Sequence, residues 1–598
     1  MLKRIAAFAI TISILLMLLP GSAGAAPYEY TFYITPNCGI PGDYNSAYQK
    51  LVDMKTRLGT GQYYARTGFM ACCYYMGETK GRASDFEFDP SHLEYILKLA
   101  KDINFPVVIC FNGGPWADLA NPDRDIISYL EQDPMHCQWR DSGIVPEDDG
   151  TGLKRLLTYN NWGSRAEARK GYRKRNLQAA ARVVTQFYRE NPDILIAVTI
   201  DPEIFMSPFF ITDYNPDTIA EFRQFERDER FKGNLNAFNQ AMGTNFNSWD
   251  EVVPPRGNPL VGNPLWEEWT NFRIGLVYLE VQREVDWIRE AGLPASKIFT
   301  HQTVRTDNTY WMRYILCSTL DTAHVNEGSL GITTLQNVCF DEALFAAARG
   351  LSPNWGIFEF NPSLESGPDY NRCLSALKVA YKHGAHIIAP YTWDGEGREP
   401  FYNIKDTAFE RAIRDFIDNL STRFRDVPRD FWAYNEIESI AQQGIISGYA
   451  DGYFRPADPV FRSQFTKMLV NSLGLPLNTQ YKGYFTDVPS NHWGWQYIET
   501  AYERGIVKGY GDGRFGPEDM ATRAQLAKIL VLGLGISLNT QYRGYFPDVP
   551  SSHWAWQYIE TAKDYRIIQG YLDGRFKPEE IVRRDQTAVM ISRAKSAP

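Results

Sequence analysis

Between residues 26 and 420 the chain alternates short apolar runs, rich in β-branched and aromatic residues, with segments whose apolar positions recur every three or four residues. The runs read YTFYITPN, QYYARTGFMACC, PVVICFNGG, ILIAVTIDPE, KIFTHQ, LDTAHVNEG, WGIFEFNP and HIIAPYTWD. Between them lie amphipathic stretches such as HLEYILKLAKDI and CLSALKVAYKHG. Continuous or period-two apolar runs predict buried strands, and a 3.6-residue period predicts helices packed by one face. Eight strand–helix units in alternation predict an α/β fold closed as a parallel (β/α)8 barrel. An open doubly wound sheet is the alternative, but no glycine-rich nucleotide fingerprint follows the first strand.

Beyond about Leu420 the pattern changes. Three segments line up at an offset of 61 residues, beginning FRDVPRDFW, FTDVPSNHW and FPDVPSSHW and ending GYADGYFRP, GYGDGRFGP and GYLDGRFKP. Each is followed by a polar-arginine box that opens an apolar helix, and a period this long predicts one helical unit stacked three times. These motifs resemble the S-layer homology (SLH) repeat over residues 424–477, 485–538 and 546–598. The resemblance implies an all-α, pseudo-threefold domain that binds a secondary cell-wall polysaccharide carrying acidic pyruvyl groups. It assigns the binding positions to Asp426, Asp487 and Asp548, to Trp432, Trp493 and Trp554, and to Arg462, Arg523 and Arg584. An arginine fork suits a carboxylate and an indole face suits a sugar ring; the competing reading makes the tryptophans core and the aspartates caps. Gln464, Gln525 and Gln586 stand where the box often has Glu.

Barrel chemistry sits at the C-terminal ends of the strands. Those ends read Asn37, Asn112, Glu203, His301, Glu327, Glu359 and Trp393. Glu203 and Glu359 end the fourth and seventh runs with no lysine or arginine nearby in sequence, and a buried-looking strand that stops at Asp201-Pro202-Glu203 places costly charge at a tip. Two carboxylates across a cleft suit glycosidic cleavage: one protonates the leaving oxygen, the other attacks the anomeric carbon or activates water. The pair resembles the clan of retaining (β/α)8 glycosidases whose acid/base and nucleophile come from strands four and seven. The stretch YNPDTIAEFRQFERDERFKGNLNAFNQAMGTNFNSWDEVVPPRGNPL is further similar to glycoside hydrolase family 42, the β-galactosidases. That resemblance implies Glu203 as acid/base and Glu359 as nucleophile; no cofactor is expected. Pro202 stands where the clan has an asparagine that contacts the sugar 2-hydroxyl; it has no side-chain donor, and Asn361 or Asn112 is the expected substitute. Asp201, His301, Trp393 and Trp116 complete the expected substrate-binding set, the histidine as an orienter of the nucleophile and the tryptophans as sugar platforms. Rim packing and an ordinary structural histidine are the competing readings, and Glu327 is either a third site carboxylate or a solvated loop charge.

Composition narrows the partners. A formal net charge of -9 argues against nucleic acid. Lys3 and Arg4, the apolar run Ile5 to Leu19 and the small residues before Ala26 read as a secretory leader over residues 1–25, with no transmembrane anchor after cleavage. Export permits disulfides, yet Cys110 lies in a strand-like run and Cys72 and Cys73 are adjacent, so buried thiols are as well supported as bridges. No C-x-x-C or H-E-x-x-H pattern suggests a metal. The expectation is a secreted, cell-surface retaining β-glycosidase, held in the wall by its repeats and acting on a β-linked galactoside or related glycan. The alternatives are a clan relative specific for a β-glucan or arabinoside, and an inactive glycan-binding surface protein.

Overall fold

A computed structural model describes residues 32–62, 65–80, 87–113, 126–144, 156–207, 210–306, 309–394, 403–449 and 451–596. The expected leader and Trp116 lie outside the described residues. The chain divides into two compact units between Asp418 and Asn419, and each has its own core.

The first unit is a closed barrel of eight parallel strands. They are β1 (Phe32–Ile34), β2 (Ala65–Thr67 and Phe69–Cys73), β3 (Val107–Phe111), β4 (Leu195–Thr199), β5 (Ile298–Phe299 and Gln302–Thr303), β6 (Leu330–Leu335), β7 (Trp355–Asn361) and β8 (Ile387–Pro390). β2 and β5 are the two corners. The first half of β2 pairs with β1 and its second half with β3; likewise β5 pairs first with β4 and then with β6. β8 returns to pair with β1, which leaves no edge. Gly68 makes the corner in β2 possible, because a Cβ there would lie 2.4 Å from the Pro106 carbonyl oxygen. Met70, Val108, Cys110, Ala197, Phe299, Phe358 and Ala389 fill the lower barrel. The connecting helices bury the faces their apolar spacing predicts, such as Leu93, Ile96, Leu97 and Ala100 in α1 (Ser91–Ile103).

One strand is displaced from its expected place. Leu320–Ala323, read above as the start of strand six, is a helical turn capped by Thr319. The strand is LGITTL, where Gly331 passes so close to Thr300 that a Cβ would meet its carbonyl oxygen at 1.8 Å. Glu327 therefore precedes β6, at the end opposite the expected site; its side chain is 65% exposed and pairs with Arg289. It is a solvated loop charge, not a third site carboxylate. None of the eight cysteines forms a disulfide; Cys72 is half-buried and the rest are buried. No helix among the described residues is long and apolar enough to cross a membrane.

The second unit is helical, with two helices per repeat: Tyr434–Gln442 and Arg462–Ser472, Trp495–Glu503 and Arg523–Gly533, Trp556–Asp564 and Arg584–Lys595. The glutamines in the arginine boxes do the work of glutamate in a capping box: Gln464, Gln525 and Gln586 each accept the N–H three residues back at 3.2 Å. The repeats close on one another as a ring. Val460 N–H donates to Val582 O (3.1 Å), Val582 N–H to Ala521 O (3.0 Å) and Ala521 N–H to Val460 O (2.9 Å). A single apolar core runs through all three repeats.

Candidate active site

The strands β4, β5 and β7 bring the two glutamates to one mouth. β4 ends at Thr199, and the chain turns through Asp201 and Pro202 into Glu203, whose φ of 59° is left-handed. That conformation is costly for a side-chain-bearing residue. It is held by the Glu203 N–H, which donates to His301 O at 2.7 Å, and by the Thr303 hydroxyl, which donates to the Glu203 carboxylate. Glu359 lies in β7, half-buried, with its Oε1 3.9 Å from His301 Nε2. The tip of β5 thus stands between the two carboxylates and touches both. Thr303 was not singled out by sequence; its signal was only its place two residues beyond His301.

His301 is fully buried, with Nδ1 3.5 Å from Thr199 Oγ1, and burial pulls its pKa down from 6.5 to about 3. The imidazole beside Glu359 is therefore neutral. Stability carries the same signature. Between those two values the unfolded chain binds a proton that the native state refuses, so the native state loses ground as pH falls from about 6.5 towards 3. His301→Gln is expected to flatten the decline of the barrel's thermal midpoint between about pH 7 and about pH 4. Equal slopes in parent and variant would show that His301 does not set it.

Several polar atoms at this end of the barrel are buried without a hydrogen-bond partner among the described residues: Thr35 Oγ1 past β1, Asn112 Oδ1 past β3, His301 Nε2, Thr333 Oγ1 in β6 and Trp393 Nε1 past β8. Buried polar atoms are normally satisfied, so a ring of exceptions at one mouth marks a place built for a polar ligand.

Other expected residues have different duties. Asp201 is fully buried, taking the Gly113 N–H at 2.7 Å, the Tyr75 hydroxyl at 3.1 Å and the Arg173 guanidinium. It is spent inside the fold and offers nothing to a substrate. Asn361 is likewise committed, its amide donating to Tyr391 O at 2.6 Å and accepting from Ser363 N–H at 2.9 Å. Of the two asparagines, Asn112 is the one with a buried side-chain atom, Oδ1, that has no hydrogen-bond partner among the described residues. Trp393 is 0% exposed, so it presents an indole N–H and no open platform.

In the helical unit the arginines form the ring's joints. Arg462 of the first repeat lies over Tyr510 and Phe515 of the second, and its Nε donates to Phe515 O at 3.0 Å. Arg523 does the same to Tyr571 and Phe576 of the third, and Arg584 to Tyr449 and Phe454 of the first. Desolvation lowers the pKa of all three, because each is largely buried. The aspartates bind the turns: both oxygens of Asp426 accept the Phe454 and Arg455 N–H groups, and Asp487 and Asp548 repeat the pattern at Phe515–Gly516 and Phe576–Lys577. The tryptophans are open, at 56% for Trp432, 51% for Trp493 and 52% for Trp554. A groove of about 240 Å³ joins Tyr449 and Lys467 of the first repeat, Trp493 of the second and Arg584 of the third. Lys467 lies 5.7 Å above Trp493, and Lys528 lies 5.8 Å above Trp554. The third repeat has Val589 at the equivalent position, and Trp432 donates its indole N–H to Asp585 at 3.2 Å. Aligning the repeats would have exposed these lysines, which fall outside the arginine box.

Comparison with known proteins matches stretches of the chain to two family models. Residues 154–401 match the glycoside hydrolase family 42 model, described as beta-galactosidase, and residues 423–466, 484–527 and 545–588 match the S-layer homology domain. An endoglucanase of Bacillus sp. (strain KSM-635) is 34% identical over 28% of this chain and 18% of its own length. Exoglucanase XynX of Acetivibrio thermocellus is 30% identical over 29% of this chain and 16% of its own. The chain thus spans less than a fifth of the length of these relatives. Among solved structures, a beta-galactosidase from the haloarchaeon Halorubrum lacusprofundi aligns at 15% identity and a TM-score of 0.46, covering 74% of this chain and 64% of that one. The family 42 match thus falls within the (β/α)8 barrel unit, and the three SLH matches fall on the three helical repeats.

Proposed function

We propose that this protein is a cell-surface glycoside hydrolase that cleaves a β-linked galactoside or related glycan with retention, and that its repeats hold it to an acidic wall polysaccharide. The observation that carries the reading is the pair Glu203 and Glu359, set on either side of the β5 tip at the mouth where unpartnered polar atoms gather. Glu203 gives its proton to the glycosidic oxygen as the bond to the anomeric carbon breaks, and Glu359 forms the ester to that carbon. Water, deprotonated by Glu203, then releases the sugar. Incubating the full chain with a panel of aryl β-glycosides and β-linked polysaccharides tests this and names the sugar; products of inverted configuration would overturn retention.

Pro202 favours a second reading. Without a donor at that position, an interaction that strengthens in the transition state is missing. Binding of glycans without turnover of any substrate would move the protein to the non-catalytic class.

For the wall polymer, the Lys467 and Lys528 ammonium groups support capture of a carboxylate on a sugar stacked against Trp493 or Trp554. Lys467→Ala and Lys528→Ala together are expected to weaken binding to purified wall polysaccharide about tenfold and to lessen its salt dependence. Unchanged affinity and salt slope would remove the lysines from the site.

A further inference from the structure

Behind Glu203 lies a buried cluster of charges that the proposed chemistry does not touch. Arg173, in the helix Gly163–Glu190, sends Nη1 to Glu280 at 2.8 Å and Nη2 to Glu284 at 2.6 Å and to Asp201. The side chains of all four residues are between 0% and 3% exposed. Glu284, in the helix Pro264–Glu290, returns its other oxygen to the Asp201 N–H at 3.1 Å. Asp201 is closed on its far side by the Gly113 N–H from the end of β3 and by the Tyr75 hydroxyl past β2.

Such a cluster is a weak source of stability, because desolvating the charges offsets most of what their attraction returns. What it supplies is geometry. Asp201 is gripped from β2, β3 and two helices, at 2.6–3.1 Å along most of the network. Two residues on, Glu203 is held in the left-handed region at φ 59°, and between them Pro202 has its own φ locked by the ring. The grip on Asp201 and the Glu203 N–H bond to His301 O are therefore the two fixed ends of a segment with almost no freedom between them.

We propose that Arg173, acting through Asp201, is the positioning residue that aims the carboxyl of Glu203 at the glycosidic oxygen. The proposal rests on the glycosidase reading. Asparagine at position 202 would have had its own hold on the sugar; with proline there, aim comes from behind.

A purely structural cluster and a positioning cluster differ in how their loss depends on the leaving group. Proton donation matters when the departing oxygen is basic, as in a phenyl glycoside, and hardly at all for 2,4-dinitrophenolate, which leaves unprotonated. The test compares kcat/KM for phenyl and 2,4-dinitrophenyl β-glycosides of whichever sugar the parent accepts, in the full-length parent, Arg173→Lys and Tyr75→Phe. Tyr75→Phe removes one hydrogen bond to Asp201 without a charge and carries the test if Arg173→Lys fails to fold. The expected result is a loss of about 10²-fold on the phenyl substrate for Arg173→Lys and a smaller loss for Tyr75→Phe. The dinitrophenyl substrate should stay within about threefold of the parent. Parallel losses on both substrates, or no loss on either, overturn the proposal and leave the glycosidase reading intact. A parent inactive on both substrates takes both down together.

Discussion

Replacing Glu359 by alanine is expected to abolish hydrolysis of every substrate the parent accepts, and sodium azide is expected to restore turnover with release of a glycosyl azide of inverted configuration. The reasoning starts from the barrel. β7 delivers the carboxylate half-buried into the mouth, and the nearest ring nitrogen, His301 Nε2 at 3.9 Å, belongs to an imidazole kept neutral by burial. Alanine leaves a space that a small anion fills from the same face, attacking the anomeric carbon once, so that the second displacement never comes. Glu203→Ala should behave differently: a loss of about 10²–10⁴-fold on substrates with basic leaving groups, and far less on activated aryl glycosides. Product analysis by NMR separates the outcomes. Azide adducts of retained configuration from Glu359→Ala, or of inverted configuration from Glu203→Ala, would exchange the two roles.

Much of this architecture was readable from the apolar pattern, and the exceptions have physical causes. Seven strands fall where continuous β-branched runs end in polar residues, since both faces of a barrel strand are buried and such a run has no period to lose. The sixth was misplaced because LDTAHV carries the same apolar weight as LGITTL. The deciding feature is Gly331, whose backbone approaches β5 closer than any Cβ allows, and this depends on a neighbour distant in sequence. The same limit applies to the site. Glu203 and Glu359 announce themselves as isolated charges at strand tips, but nothing in the sequence distinguishes Asp201, two residues away, as a buried anchor. Its identity depends on Arg173, 28 residues upstream, and on Glu284, 83 residues downstream. In the repeats, periodicity located the aspartates and arginines correctly in sequence while leaving their duty open. Carboxylates that accept two backbone N–H groups and guanidiniums that donate to carbonyl oxygens hold the turns, while the tryptophans stand exposed.

Deleting the third repeat, residues 545–598, is expected to abolish wall binding rather than reduce it by a third. The groove beside Trp493 is assembled from all three repeats: Tyr449 and Lys467 come from repeat one, Trp493 from repeat two and Arg584 from repeat three. Removing Arg584 uncovers Tyr449 and Phe454, over which its guanidinium lies at 5.0 Å and 4.6 Å, and frees the carbonyl of Phe454 that it holds at 2.8 Å. Val460 and Ala521 then lose the third member of their hydrogen-bonded ring, and the shared core loses Val582, Ala588, Val589 and Ile591, all buried. Exposed apolar surface of that extent costs more than a helical domain of marginal stability can spare. Arg523 in turn has no aromatic pair to close upon, so the damage passes round the ring to the second joint as well. The measurement is cosedimentation of the full chain and the deletion variant with purified wall polysaccharide, alongside calorimetric unfolding. The expected trace has one cooperative transition fewer in the variant and no bound fraction. Two-thirds of the parent's binding, or an unchanged transition for the repeats, would mean that each repeat folds and binds by itself and that the arginine joints are incidental.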